Sequence, residues 1–184
     1  MEALRGDRRY TYTDYYSWDD GKRWELIDGI AYDMAPAPSQ EHQTVSGELF
    51  VQFHNFLKRE KTCKVFYAPF DVRLDPDGKD DTVVQPDILV VCDDAKLDGR
   101  SCNGAPDMVI EILSPSSTRH DRVRKLEVYQ RYGVQEYWIV DPVSKSVQVH
   151  ILENGHYGTK VYAETEEVDV HTLDGCSIRL SDVF

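Results

Sequence analysis

Residues 108–113 are apolar at every position except Glu111, and an unbroken apolar run of this length predicts a strand covered on both faces of a sheet. Pro115 cannot donate to a ladder, so the Ser-Pro-Ser-Ser loop at 114–117 stops that strand, and its small hydroxyl residues suit the start of a helix. Val123, Leu126, Tyr129 and Tyr132 recur at three-residue steps and predict the helix from about Thr118 to Tyr132, closed by Gly133. Residues 137–140, Tyr-Trp-Ile-Val, again read as a strand covered on both faces. Strand, helix and strand in this order predict a right-handed crossover.

The flanking chain supports this unit. Alternation on both sides of Asp28-Gly29 predicts a hairpin over 24–34 that decorates one edge, and Asn154-Gly155 predicts a second between 146–152 and 157–162. After the breaks at Pro36 and Pro38, Ser39 caps a helix running to about Arg59, with Val45, Leu49, Phe53, Phe56 and Leu57 at helical spacing. His42 continues that stripe and Glu48 lies beside it. Residues 64–67, 70–74 and 83–92 read as strands, the last two separated by the turn Asp75-Pro76-Asp77-Gly78, and 93–103 as a polar loop. Residues 10–18 read as a short helix capped at Thr13 or as a strand, with helix preferred, 164–169 as a solvated acidic stretch, and 175–184 as a last short strand or cap. The expected architecture is one domain over 1–184 with its core at about 13–180. It is a mixed α/β fold whose central sheet carries Asp87, Glu111 and Tyr137, flanked by the helices at 39–59 and 118–132 and by peripheral hairpins.

Composition narrows the function. The 184 residues suffice to bury a core without disulfides or metals. A net charge of -12 argues against broad attraction to nucleic acid, which Lys and Arg neutralisation drives, so any polyanion must meet a local basic patch. Arg119, Arg122, Arg124 and Lys125, in the first half of the central helix, are the candidates. The cysteines at 63, 92, 102 and 176 form no C-x-x-C pair, which suggests neither a zinc site nor a disulfide framework and favours a reduced, cytoplasmic protein. No secretion signal and no membrane span are read from the chain.

An ionised carboxylate inside an apolar strand is costly unless it is paired or bound to a cation, which makes Glu111 the main clue to chemistry. Asp87 places a second acid just before the apolar run 88–91 on a neighbouring strand. Carboxylates brought within about 4 to 6 Å repel one another, and a divalent cation between them is the usual solution. Magnesium suits such a pair because it takes one or two carboxylates and keeps waters and phosphate oxygens as its other ligands. Lys125 supplies a further charge. Asp107 shares a strand face with Glu111 but lies four residues away, about 13 Å along a strand, too far to share one ion. Blander roles compete at each position: a strand-entry cap for Asp87, a structural ion pair for Glu111, and a helix-surface pair with Asp121 for Lys125. For His42 and Glu48 they are a satisfied core histidine and an exposed acid. Glu136 is open between the two kinds of role.

Pro86-Asp87, Glu111-Ile112-Leu113-Ser114-Pro115-Ser116, the stretch Asp121 to Lys125, and Glu136-Tyr137-Trp138-Ile139-Val140-Asp141-Pro142 together resemble the putative restriction endonuclease family of the PD-(D/E)XK nuclease superfamily, over roughly residues 13–180. The resemblance implies a restriction-endonuclease-like fold and hydrolysis of DNA phosphodiester bonds. It implies magnesium or manganese held by Asp87, Glu111 and the Ile112 carbonyl, with a lysine acting on the attacking water. The superfamily pattern puts that lysine two residues after the glutamate, where this chain has Leu113, and the resemblance moves the role to Lys125. A homodimer is expected, since cutting a duplex calls for a site on each strand. The alternatives are a catalytically inactive nuclease-fold module that binds nucleic acid or a partner protein, and a metal-free hydrolase using the two acids as acid and base.

Overall fold

The protein is described from a computed structural model covering residues 8–34, 37–114 and 119–184, with backbone alone for 119–121. Pro36, the loop residues 115–117 and the helix start at Thr118 lie outside the described residues. A short helix, α1 (Tyr12–Tyr16), precedes the hairpin of β1 (Trp24–Ile27) and β2 (Ile30–Asp33). Thr11 caps α1, not Thr13, because Asp14 reaches back to the Thr11 main chain. Asp28 and Gly29 have φ of 52° and 75°, the paired positive values that a tight hairpin turn requires. Helix α2 (Gln40–Glu60) begins where Ser39 Oγ accepts from His42 N, as its sequence predicts.

Next come β3 (Lys64–Tyr67), β4 (Asp71–Arg73), β5 (Val83–Val84) and β6 (Ile88–Val91). The single strand expected over 83–92 is two strands in different sheets. Pro86 offers no N–H to a ladder, and the chain crosses from one sheet to the other around it. The loop expected over 93–103 contains a 3-10 turn and β7 (Ser101–Asn103), which pairs parallel with β4. Then follow β8 (Met108–Ile112), α3 (Arg119–Tyr132), β9 (Glu136–Asp141), the hairpin β10 (Ser146–Glu153) and β11 (His156–Ala163), and finally β12 (Glu167–Asp169) and β13 (Ser177–Arg179). The stretch expected to be solvated acid thus contributes a strand, in which Val168 is buried.

One sheet runs β11-β10-β9-β8-β6-β3, with β8 and β9 parallel, and the other runs β2-β1-β5-β4-β7. Alternation divides the core. Ile88, Val90, Ile110, Ile112 and Trp138 face α2 and the C-terminal strands, whereas Leu89, Val91, Val109, Tyr137 and Ile139 face α3 and the second sheet. The six-stranded sheet is therefore covered on both faces, as its apolar strands demand. Glu111 belongs to the face covered by α3 and the second sheet.

Cys63 and Cys92 are joined by a disulfide, contrary to the expectation from their spacing. Antiparallel pairing sets Lys64 against Val91, so the flanking cysteines meet across β3 and β6 although 29 residues separate them. The cysteine pattern therefore gives no ground for a reducing compartment. Among the described residues no helix is long and apolar enough to cross a membrane.

Candidate functional site

Strand register brings together the two acids singled out in the sequence. Ile88 lies opposite Ile110, so Asp87, one residue before β6, falls opposite Glu111. Directly opposed side chains have Cβ atoms about 4.5 to 5.5 Å apart. Asp87 Oδ2 accepts from Ile112 N at 2.8 Å and lies 3.1 Å from His42 Nε2 on α2. Asp107 is engaged elsewhere, as its distance along the strand predicts. Its Oδ2 accepts from Cys92 N at 2.7 Å, at the far end of β6.

Helix α3 supplies the cation. Lys125 Nζ donates to Glu111 Oε1 at 2.8 Å and to Glu25 Oε1 at 3.0 Å, and the residue is 8% exposed, so a helix-surface pair does not account for it. One turn later Tyr129 donates its hydroxyl to the same Glu111 oxygen at 2.7 Å. Glu25, on β1, is fully buried and its Oε1 also accepts from Gln85 N at 2.8 Å. Its Oε2 has no partner among the described residues, and neither does His42 Nδ1.

Glu25 escaped the sequence reading. Its signal was present, because Trp24-Glu25-Leu26-Ile27 sets an acid among residues that are all buried, the same misfit that marks Glu111. The hairpin was expected to decorate one edge, whereas β1 lies inside the second sheet between β2 and β5, and α3 brings Lys125 onto Glu25. His42 is both buried and part of the site, Glu48 is exposed, and Glu136 is structural, accepting from Trp138 Nε1, Thr172 N and Thr172 Oγ1. Of the basic patch, Arg122 reaches the site while the Arg124 guanidinium lies over the Tyr32 ring, 4.2 Å from its centroid. The Arg119 side chain lies outside the described residues.

Lys125 thus bridges Glu111 and Glu25, while Asp87, opposite Glu111, meets His42. Removal from water pushes the Glu111 carboxyl up to about 7, against an ordinary 4.5; Lys125 works against that rise, and the charges of Asp87 and Glu25 add to it. Burial disfavours the charged form of Lys125, but Glu111 and Glu25 outweigh it and hold the ammonium. His42 is disfavoured as a cation by burial, yet Asp87, Glu111 and the Ile112 carbonyl raise it above its usual value.

These shifts set a pH dependence. The folded chain keeps a proton on Glu111 in a range where the unfolded chain has lost it, so this contribution is complete below about 4.5 and gone above about 7. Stability of the metal-free protein falls as pH rises across that window, by on the order of 3 kcal/mol at most from this group. Urea denaturation at a series of pH values, wild type minus Glu111→Gln, reads it directly. A flat difference profile removes Glu111 from this role.

The side chains line one cavity of about 680 Å³. A family model described as "Uma2: Putative restriction endonuclease" matches residues 12–181. An uncharacterized protein, slr1290, of Synechocystis sp. is 24% identical over 175 residues, spanning 93% of this chain and 89% of that protein. The fold resembles the crystal structure of a putative nuclease belonging to DUF820 from Anabaena variabilis, with a TM-score of 0.76, 21% identity, and coverage of 95% of this chain and 97% of the other.

Proposed function

We propose that this chain, which belongs to the Uma2 putative restriction endonuclease family, hydrolyses DNA phosphodiester bonds with magnesium or manganese held by Asp87, Glu111 and the Ile112 carbonyl. The observation that carries this reading is the opposition of Asp87 and Glu111 at the wall of one cavity, with the Lys125 ammonium on Glu111.

The charge of the site suits a cation. Asp87 and Glu25 both add to the rise of Glu111, and a divalent ion between Asp87 and Glu111 offsets that crowding of negative charge. Among the described residues no three His, Cys, Asp or Glu side chains group as metal ligands. A pair of opposed carboxylates suits magnesium, which takes one or two carboxylates and retains several waters, better than zinc. Glu111 Oε2 and Asp87 Oδ1, the oxygens outside the hydrogen bonds given above, are the proposed donors.

Such an ion, when bound, activates a water and offsets charge on the phosphate. The protein's own groups do the rest. Tyr129 and Lys125 fix the Glu111 carboxylate, while the Ile112 N–H and His42 fix Asp87. Lys125, anchored by Glu25, orients the water and presents its charge to the phosphate, and Arg122 holds the strand by its backbone. A homodimer belongs to the same proposal.

Incubation of the purified protein with DNA, with and without magnesium or manganese, tests it. Metal-dependent cleavage stopped by a chelator is expected. Metal binding without hydrolysis of any DNA form favours the inactive module instead.

A further inference from the structure

The proposed chemistry leaves one wall of the cavity unused. Beyond His42, that wall is the face of α2 formed by Gln43, Ser46, Gly47 and Phe50, with Tyr67 of β3 beside it. Gly47 lies within a 21-residue helix, where glycine is the least suitable residue after proline. A Cβ added to it meets nothing within 4 Å, so packing inside the protein does not require glycine there. A ligand that approaches the helix backbone closely does. Beside it, Phe50 and Tyr67 meet edge to face with ring centroids 4.9 Å apart, and Tyr67 stays 61% exposed. Two buried side chains of the same cavity, His42 and Glu25, each keep a polar atom with no partner among the described residues.

Charge bears on what that ligand is. The basic residues lining the cavity are Arg23, Arg122 and Lys125, against Glu25, Asp87 and Glu111, on a chain of net charge -12. Duplex binding depends on neutralising many phosphates, which so few cations do poorly. Unpaired bases, in contrast, bind on aromatic faces, each of which contributes whatever the sequence. We propose that the cavity seats an unpaired nucleotide of DNA, its base on Tyr67 and Phe50 and its backbone against Gly47, so that the substrate is a single-stranded or locally unpaired segment. This deepens the nuclease reading and rests on it.

The full chain is mixed, with calcium replacing magnesium to prevent turnover, with a labelled single strand, the same strand as an unpaired flap, or the blunt duplex. The single strand and the flap are expected to bind at least about tenfold more tightly than the duplex. Tyr67→Ala weakens single-strand binding by about 5- to 140-fold, the span for loss of one stacked base, while manganese binding is unchanged. Gly47→Ala raises the denaturation midpoint, because alanine suits the helix and the space is open, and yet weakens the same binding. A glycine with a merely structural part gives the first effect without the second.

Duplex binding equal to or tighter than single-strand binding overturns this inference. So does full single-strand affinity in both variants. In either case metal-dependent cleavage of duplex DNA leaves the nuclease reading standing, whereas hydrolysis of none of the three forms by wild type overturns that reading as well.

Discussion

Asp87→Asn and Glu111→Gln each lower manganese affinity by more than about 100-fold, beyond the usual effect of an outer hydrogen-bond partner, and abolish cleavage, while both metal-free variants melt at or above the wild-type temperature. Loss of a buried polar residue ordinarily destabilises. Here each amide keeps an oxygen for the existing donors, Ile112 N in one case and Lys125 and Tyr129 in the other. It removes one carboxylate charge from neighbouring acids, and so relieves the repulsion that adds to burial in raising Glu111. Calorimetric titration of manganese, paired with thermal melts of the metal-free proteins, measures both halves. A variant that melts well below wild type and still binds manganese makes its acid a structural one.

Lys125→Met has the opposite signature. The ammonium is buried between Glu111 and Glu25, and removing one partner of a buried ion pair leaves uncompensated charge that costs about 3 to 5 kcal/mol. The metal-free variant is therefore destabilised by that order, whereas an exposed helix pair contributes about 1 kcal/mol or less. Manganese binds undiminished and restores much of the loss, because the ion replaces the missing positive charge beside the same carboxylates. Cleavage stays down by about 100- to 1000-fold, the scale for loss of one group that stabilises developing charge. Denaturation with and without manganese, followed by cleavage at saturating metal, separates these effects. Stability close to wild type, or undiminished cleavage, removes Lys125 from the site.

The elements that carry Asp87 and Glu111 were legible because their residues conflict with their surroundings. An acid inside 108–113 stands out against apolar neighbours, and parity along adjacent strands then suffices to set it against Asp87. Lys125 was named as a further charge for the two acids, but its role on the water came only from the family pattern, since a lysine in the charged half of a helix carries no sign of burial. Glu25 shows what periodicity misses. Its hairpin alternates as a half-exposed ribbon does, and the groups that meet Glu25, Gln85 N and Lys125 of α3, are remote in sequence. The Cys63–Cys92 bridge and the break at Pro86 were hidden for the same reason, because the pairing of strands remote in sequence is not a property of local spacing. Gly47 was invisible until the cavity beside it was known.

A crystal soaked in manganese, with data recorded for anomalous scattering, tests the central claim most directly. A peak is expected between the Asp87 and Glu111 carboxylates, within reach of the Ile112 carbonyl, and it disappears in Glu111→Gln. Manganese bound elsewhere while these carboxylates remain without an ion contradicts the claim.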